Sequence, residues 1–453
     1  MGVERIWLPF SLAVVAASAL AQPPGDDLGR RVDDVARQTL ATPAAGMSIV
    51  VARGNQVLVS RGYGLANLEH SAATTPETVY HIDSISKNVL ATVVLQLMEQ
   101  GRLGLDDDVT KYVPEAPTQG RRVTIRELLN HTSGLIDVTD LPKWAPMERL
   151  EPTHAEVLAM MRDQPFDFAP GSAWRYDNSG YYLAGMVVER VTRQDYGDYL
   201  RERVFQPLGM TTASLCGTRS IVPHRASGYE AERGTLVNAP SWGWVAPFAA
   251  GGVCASASDL LKWQRALQGG HVINTASLAL MRTATLLPDG SQIDYGLGTR
   301  MGALDGHRVV GHTGTGGGFN SVLEYLADDD VTIIVLTNTE HSGALLVATQ
   351  VARIVLRLPS GAGRDLDVPQ DELAAIPGDY VSGEGRVTVF AKRDRLYFRP
   401  EGSGEDRALA RVGAYAYSWG PEQTVRFLSS TRAVRWAVSY TGGLMMDASR
   451  RVQ

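Results

Sequence analysis

The sequence is poor in the residue types and motifs that mark several protein classes. It has two cysteines among 453 residues, so no disulfide framework or cysteine-rich site is needed to hold the fold. It contains neither His-Glu-x-x-His nor Cys-x-x-Cys, and we predict no metal ion and no other cofactor. The formal net charge is -6 and the pI is near 5.9. That balance argues against the basic surface that nucleic-acid binding requires, so nucleic acid is not an expected partner.

Long apolar runs are also scarce, and the one that stands out is at the start of the chain. Residues 6–20 are mainly apolar, Arg5 precedes them, and Ala19, Leu20 and Ala21 form an A-x-A cleavage pattern. We predict a signal peptide over residues 1–21 and a periplasmic or secreted protein. The alternative is an uncleaved membrane anchor. No later run reaches about 18 apolar residues, so we expect no stable membrane span after cleavage.

The two cysteines acquire a meaning if the protein is exported. Cys216 and Cys254 could form a disulfide in an oxidising compartment. The alternative is two buried free thiols, because cysteine is often a core residue. We favour the disulfide slightly.

Hydrophobic patterning places strands at both ends of the main segment and helices between them. Two short apolar segments predict strands over 47–51 and 57–60, joined by a tight turn at Gly54 and Asn55. A helix is predicted over 84–100, with further helices near 125–129, 155–162, 181–193 and 258–267. Strands return over 308–312, 321–326 and 331–336, and a helix follows over 344–356. The fold class predicted is therefore α/β (α+β), with an antiparallel sheet flanked by helices and a mostly helical inserted region.

The composition changes near residue 359. Residues 359–372 are rich in Pro, Gly, Ser and acidic residues, which is typical of a linker. Beyond it the chain alternates short strands and turns. We predict a main domain over residues 22–358, a linker over 359–372 and a small barrel-like β-domain over 373–453. We expect this β-domain to be separable from the main domain.

The first candidate site is Ser84-Ile85-Ser86-Lys87, at the start of a predicted helix. Side chains three residues apart share a helix face, so Lys87 can reach the hydroxyl of Ser84. The helix N-terminus also favours negative charge developing on that oxygen. The chain has only five lysines, and Lys87 is the one with a serine three residues before it. We interpret Ser86 as a helix-start residue and not as a nucleophile.

The second candidate site is Tyr176-Asp177-Asn178, which precedes another predicted helix. A phenol is a poor base at neutral pH, but a neighbouring ammonium such as that of Lys87 stabilises the phenolate. Asn178 could donate to a substrate carbonyl and also hold Lys87. Taken alone, the alternative is a loop tyrosine with Asn178 as a helix cap.

The third candidate site is His312-Thr313-Gly314-Thr315, at the end of a predicted strand. Gly314 and Gly316 allow the backbone to approach a ligand closely. A strand edge can pair with an extended substrate and supply an N–H to an oxyanion. Taken alone, the alternative is a hairpin turn with a solvated histidine.

Together the three motifs, in this order, resemble those of the class C β-lactamase and penicillin-recognising serine hydrolase family, which includes D-aminopeptidases and esterases. Residues 124–135, 207–210 and 250–253 are also similar to sequences of that family. The resemblance covers roughly residues 30–357 and implies a β-lactamase/transpeptidase-like fold. The tail after residue 371 is weakly similar to β-domains that some members carry.

The resemblance also implies residue roles. Ser84 would attack a carbonyl and form an acyl-enzyme, with Lys87 assisting its deprotonation and Tyr176 acting as base and then acid. The N–H groups of Ser84 and Thr315 would form the oxyanion hole, and Asn178 would orient the substrate. His312 departs from the lysine that the β-lactamases have there, which argues against strong β-lactamase activity.

The sequence thus predicts an exported hydrolase that cleaves an amide or ester in a small-molecule or peptide substrate. No Gly-x-Ser-x-Gly elbow supports an α/β-hydrolase instead. The alternative from another class is a non-catalytic protein that senses penicillin or peptidoglycan on the same scaffold. The physiological substrate and the oligomeric state are not predicted.

Overall fold

The computed structural model describes residues 24–40, 44–147, 150, 152–217, 220–240, 247–359, 365–383, 385–420, 422–430 and 433–452. The predicted signal peptide and part of the predicted linker lie outside these residues. Within the described part of the chain, no helix is both long and apolar enough to cross a membrane.

Helices dominate the middle of the chain. The α-helices, in chain order, are α1 Pro24–Leu40, α2 Ser86–Glu99, α3 Ile125–Leu129, α4 Trp144–Met147, α5 His154–Met161, α6 Ser179–Thr192, α7 Tyr196–Leu200, α8 Phe248–Gly251, α9 Ala257–Gln268, α10 Thr275–Met281, α11 Ala344–Leu356 and α12 Gln370–Ala375. Short 3-10 turns cover Asp83–Ile85, Val109–Lys111 and Val138–Asp140, and a π-helical turn covers Arg201–Phe205.

Strands lie before and after this helical middle. In chain order they are β1 Gly46–Arg53, β2 Gln56–Asn67, β3 Ala72–Ala73, β4 Val79–His81, β5 Ser214–Leu215, β6 Tyr229–Glu232, β7 Thr235–Asn238, β8 Val253–Ser256, β9 Thr285–Leu286, β10 Gln292–Ile293, β11 Arg300–Leu304, β12 His307–Gly316, β13 Phe319–Leu326, β14 Val331–Thr337, β15 Gly378–Ser382, β16 Gly385–Lys392, β17 Arg395–Pro400, β18 Arg407–Gly413, β19 Ala416–Gly420, β20 Gln423–Ser430, β21 Ala433–Thr441 and β22 Leu444–Val452.

The main sheet is antiparallel and joins the two ends of the main segment. Its order is β11-β12-β13-β14-β1-β2-β3, so the early strands β1 and β2 pair beside the late strand β14. Helices cover both faces, since every residue of β14 is buried. The predicted α/β (α+β) fold, with its inserted helical region, is confirmed.

Helix α1 was not predicted. It packs against α11 and β2, and Val32, Val35 and Ala36 enter the apolar core on that face of the sheet. These three positions follow the i, i+3, i+4 spacing of an amphipathic helix. The many charged residues around them obscure the pattern in the sequence.

The tail forms a closed antiparallel barrel. Strands β15 to β22 pair in sequence order, and β15 also pairs with β22, which closes the sheet on itself. Closure leaves no unpaired edge, which explains how a small all-β unit avoids an exposed strand edge. Within the predicted linker, α12 and a bridge between Leu366 and Arg411 already connect to this barrel.

The barrel shares an apolar core with the main domain. Trp436, Val438 and Tyr440, alternate residues on β21, are buried against side chains of the main domain that include Trp174 and Tyr295. The barrel also meets the main sheet at β11, where β22 approaches it. The boundaries of the tail stay predictions, but a shared core is not expected of a separable domain.

We therefore expect Trp436→Ala to destabilise the whole protein. Trp436 is 2% exposed, and removing a buried aromatic side chain of this size costs about 3–5 kcal/mol. Equilibrium unfolding in urea, followed by circular dichroism, measures the change. The exposed neighbour Arg435→Ala is the control, with an expected change within about 0.5 kcal/mol. A loss confined to the barrel, with the main domain unfolding as before, would show that the two parts are independent.

Cys216 and Cys254 are bonded to each other, with their Cα atoms 5.6 Å apart. Both are buried, and the backbone N–H of Cys216 donates to the carbonyl of Gly252 beside β8. The bond closes a loop of 38 residues. It thus ties the chain directly after β5 to strand β8.

Under oxidising conditions we expect this bond to contribute about 3–4 kcal/mol, given the size of the loop. A double Cys216→Ser, Cys254→Ser variant should unfold at correspondingly lower urea. The wild type should lose the same amount when reduced, whereas the variant should not respond to reductant. A wild type with two freely alkylated thiols before reduction would contradict the disulfide.

Candidate active site

The turn that carries Ser84 is conformationally unusual. Ser84 lies in the 3-10 turn Asp83–Ile85, directly before α2, and not in the α-helix predicted to begin at that residue. Asp83 has a φ of 46°, in the left-handed region that aspartate tolerates better than most residues. Its carboxylate lies 2.9 Å from Nδ1 of His81. Burial raises the pKa of Asp83. The buried residues around Ser84 fix the turn and leave Ser84 itself partly exposed.

Lys87 is completely buried and lies against Ser84. Its Nζ donates to Ser84 Oγ at 3.0 Å, to Asn178 Oδ1 at 2.8 Å and to the carbonyl of Ala250 at 2.9 Å. A buried ammonium has three protons to donate, and these three acceptors satisfy all of them. The i, i+3 placement predicted for Ser84 and Lys87 is present across the start of α2.

Asn178 is held on its other side by a second buried group. Its Nδ2 donates to Asp137 Oδ2 at 3.0 Å and to Thr139 Oγ1 at 3.2 Å, and its backbone N–H also donates to Asp137. Burial, with nearby Asp177, raises the pKa of Asp137. The side chain of Asn178 is thus fixed with its oxygen towards Lys87, which makes holding Lys87 its direct role.

Tyr176 lies beside Lys87, and two cations lie over its ring. Lys87 Nζ is 4.9 Å from the ring centroid and the Arg300 guanidinium carbon is 5.1 Å from it. The Tyr176 hydroxyl is buried and has no hydrogen-bond partner among the described residues. An unpaired buried hydroxyl is costly, so this group is available for a proton exchange with a bound molecule.

His131 lies behind Tyr176 and does not enter the cleft. The two ring centroids are 4.3 Å apart, and the backbone N–H of Asp177 donates to His131 Nδ1. Burial lowers the pKa of His131 well below its usual range, and Lys87 adds to the effect. His131 is therefore a neutral packing residue that orders the Tyr176 loop. Burial raises the pKa of Asp177 to about 7.

Strand β12 brings the third motif to Ser84. A Cβ on Gly314 would lie 2.3 Å from the carbonyl oxygen of Ile82 and 2.9 Å from Asp83 Cβ, so only glycine allows this approach. Thr315 follows on the same strand and lines the cleft with Ser84. Asn320 donates to Thr315 Oγ1 at 2.8 Å and holds that strand end.

His312, a candidate for substrate binding in the sequence, is buried in the structure. It is 1% exposed, its Nδ1 lies 2.6 Å from the carbonyl oxygen of Thr313, and Tyr295 Oη lies 3.0 Å from its Nε2. Burial lowers the pKa of His312 well below its usual range, with Arg300 and Lys87 adding to it. His312 is neutral and packs behind Tyr176. The cation that faces this part of the cleft is Arg300, which the sequence did not single out.

Two adjoining cavities meet at Ser84. The first, the Trp144 cavity, has a volume of about 270 Å³, and the second, the barrel-side cavity, about 330 Å³. Ser84, Asn178 and Thr315 line both. The Trp144 cavity also contains Val138, Thr139, Trp144, Tyr182 and Pro247, whereas the barrel-side cavity contains Tyr176, Arg300, Thr313, Gly383, Met446 and Asp447.

Several of these residues could not be found from the sequence. Asp137, the carbonyl of Ala250 and Arg300 contact the candidate site residues from a loop, the short helix α8 and strand β11. Ala250 lies in a stretch that resembles the family, which is the one signal that pointed near it. Met446 and Asp447 come from the barrel, which places part of the tail in the cleft.

Known proteins are similar in sequence to this chain. Penicillin-binding protein 4* of Bacillus subtilis is 28% identical over 327 residues, which are 67% of this chain and 71% of that protein. A D-aminopeptidase of Brucella anthropi is 29% identical over 320 residues, which are 70% of this chain and 60% of that protein.

Solved structures are similar as well. A D-stereospecific amidohydrolase from Streptomyces sp. has a TM-score of 0.62 and 26% identity, over 72% of this chain and 97% of that one. The octameric penicillin-binding protein homologue from Pyrococcus abyssi has a TM-score of 0.64 and 22% identity, over 94% of this chain and all of its own. That likeness is one of fold and extends over the barrel. The Beta-lactamase family model matches residues 32–356, most of the sequence, and the chain therefore belongs to the β-lactamase family.

Proposed function

We propose that the protein is an exported serine hydrolase that cleaves an amide or an ester through an acyl-enzyme on Ser84. The observation that carries the proposal is the 3.0 Å contact between Ser84 Oγ and Nζ of the fully buried Lys87. A serine hydroxyl is a weak nucleophile until a neighbouring group takes or stabilises its proton. A buried lysine held by three acceptors is a costly arrangement that folding alone does not require.

In the acylation step, Ser84 Oγ loses its proton and bonds to the substrate carbonyl carbon. The carbonyl oxygen becomes an oxyanion, and we assign its stabilisation to the N–H groups of Ser84 and Thr315. For this step the Lys87 and Tyr176 pair must hold one proton fewer than a full ammonium and a full phenol, and it then takes the proton of Ser84. These groups share it as one coupled system, with Lys87 in contact with Ser84 and the Tyr176 hydroxyl unpaired.

Collapse of the tetrahedral intermediate breaks the bond to the leaving group. Tyr176 donates a proton to the departing nitrogen or oxygen, for which its unpaired hydroxyl is suited. A water then takes the place of the leaving group, gives a proton back to Tyr176 and attacks the acyl carbon. As the bond between Ser84 Oγ and the acyl carbon breaks, Tyr176 returns that proton to Ser84 Oγ, and release of the acid completes the cycle.

For the substrate class we propose amides, peptides or esters of D-amino acids. The support is the similarity to a D-aminopeptidase and to a D-stereospecific amidohydrolase, each below 30% identity. The two cavities at Ser84 accommodate groups on both sides of a scissile bond. Their combined size suits a small molecule or a peptide end.

The test is adduct mapping combined with a substrate panel. The full chain without its leader is incubated with a fluorophosphonate, a penicillin, and the amides and methyl esters of D- and L-phenylalanine. We expect the fluorophosphonate adduct on the peptide that contains Ser84, and turnover of the D-substrates above the L-substrates. Equal turnover of both enantiomers would remove the stereochemical part of the proposal.

The same panel distinguishes the proposed hydrolase from the non-catalytic alternative. A stable penicillin adduct on Ser84 without turnover of any amide or ester would indicate a sensor. Labelling at another serine, or at none, would contradict the proposed nucleophile.

A further inference from the structure

The closed barrel of the tail contains a partly open cavity of about 480 Å³, here called the lumen. A barrel of this size is just wide enough either to be filled by side chains or to hold one small ligand. The volume lies in the range of small-molecule sites, and the walls are largely apolar. Among the lining residues are Val389, Phe398, Leu409, Trp419, Val425 and Phe427.

The lumen is open because small side chains face it on two strands. On β21 the bulky residues Trp436 and Val438 point outward into the core shared with the main domain. The residues between and beyond them, Ala437 and Ser439, line the lumen, as does Ser449 on β22. Strand alternation thus places the large side chains outside and leaves space inside.

The lumen and the catalytic cleft share a wall. Asp447 lines both the lumen and the barrel-side cavity. In the turn between β15 and β16, Ser382 and Gly385 line the lumen while Gly383 lines the cleft. A Cβ on Gly383 would lie about 4.0 Å from the carbonyl oxygen of Tyr176, which places this turn against the catalytic loop.

Tyr176 decides which half of a substrate faces the barrel. The leaving group must lie beside the acid that protonates it, and Tyr176 lines the barrel-side cavity with Gly383 and Asp447. The Trp144 cavity, on the other side of Ser84, is left for the acyl group. A leaving group longer than the barrel-side cavity would therefore extend towards the lumen.

We propose that the lumen binds the apolar body of the leaving group, so that the preferred substrates are esters or amides of long-chain or aromatic alcohols or amines. This rests on the proposed hydrolysis at Ser84. The reaction transfers the acyl group to Ser84 Oγ, and the alcohol or amine leaves with the proton from Tyr176. The lumen takes no part in bond making and acts through binding.

The experiment uses two series of esters on the full chain. In one, the acyl group is constant and the alcohol grows from methyl to octyl; in the other, the alcohol is methyl and the acyl chain grows. We expect kcat/KM to rise roughly fourfold for each methylene added to the alcohol, the gain that burial of one methylene provides.

Filling the lumen should remove that dependence. Ala437→Phe places a ring in the lumen, and the control Ala408→Phe places the same ring on an exposed site of β18, beside the lumen-lining Leu409. We expect Ala437→Phe to flatten the alcohol series and to leave the acyl series as it is, and Ala408→Phe to change neither. Ser449→Leu is the second lumen variant, for use if Ala437→Phe does not fold.

A direct binding measurement tests the lumen proposal independently of hydrolysis. The neutral fluorophore N-phenyl-1-naphthylamine should bind the wild type and the Ala408→Phe control, and octanol should displace it. Ala437→Phe or Ser449→Leu should weaken its binding at least tenfold. Absence of turnover and of a Ser84 adduct would remove the proposed function together with this one. Turnover with a flat alcohol series, or an effect of the lumen variants on the acyl series instead, would overturn the lumen proposal alone.

Discussion

Ser84→Ala is expected to lower kcat for amide or ester cleavage by about 10⁴- to 10⁶-fold, the range found when a catalytic serine is removed from a hydrolase. The neighbouring Ser86 is not expected to take over, because it is buried and its oxygen accepts the backbone N–H of Val253 at 3.1 Å. Substrate binding should survive, since the cavities on both sides of Ser84 keep their walls. Steady-state kinetics and fluorophosphonate labelling measure the two effects.

Ser86→Ala is the matched control. It removes the acceptor of the Val253 N–H, which should cost about 1–3 kcal/mol of stability, but it leaves Ser84 and Lys87 in place. Labelling of Ser84 should therefore persist in this variant below its unfolding temperature. Turnover that survives Ser84→Ala and disappears in Ser86→Ala would show that the nucleophile is Ser86 and not Ser84.

Lys87→Met is expected to lower the rate of acylation by about 10²- to 10⁴-fold, the contribution typical of a positioned proton-transfer group. Methionine has a similar length but carries neither charge nor donors. Ser84 Oγ, Asn178 Oδ1 and the Ala250 carbonyl would then lose their shared partner. Pre-steady-state labelling with an activated ester measures the rate, and urea unfolding shows whether the variant is folded.

Two further variants serve as controls for the Lys87→Met result. Lys111→Met removes an exposed ammonium that pairs with Asp107, and it should leave the acylation rate unchanged and stability within about 1 kcal/mol. Lys87→Arg keeps a positive charge that cannot release its proton. Full activity in Lys87→Arg would show that only the charge matters, and full activity in Lys87→Met would exclude Lys87 from the mechanism.

The fold was largely predictable because its elements have strong local patterns. Strands β1 and β2 are apolar runs on either side of a Gly54-Asn55 turn, and the helix after Ser84 is rich in Val, Leu and Met, lacks Pro and Gly, and ends before Gly101. The return of strands near residue 307 then implied one sheet built from both ends of the segment. Helix α1 was missed because its three core positions lie among many charged residues.

The candidate site was likewise only partly predictable from the sequence. Ser84 and Lys87 are neighbours on one turn, so spacing alone predicts their contact. Tyr176, Asn178 and Thr315 come from distant segments, and only the resemblance to a family connected them in the sequence. His312 shows the limit of that reasoning, because the motif identifies the residue but burial against Tyr295 decides that it is neutral and outside the cleft.

By itself, the sequence determined the hydrolase-like motifs, the order of helices and strands, and a β-rich tail. Only the tertiary structure decided that β15 pairs with β22, that the tail shares a core with the main domain, and that Arg300, Met446 and Asp447 line the cleft. The physical reason is that periodicity and spacing report contacts within a few residues along the chain. Barrel closure, shared burial and the walls of a cleft depend on residues that are tens to hundreds of positions apart, and only the folded chain brings them together.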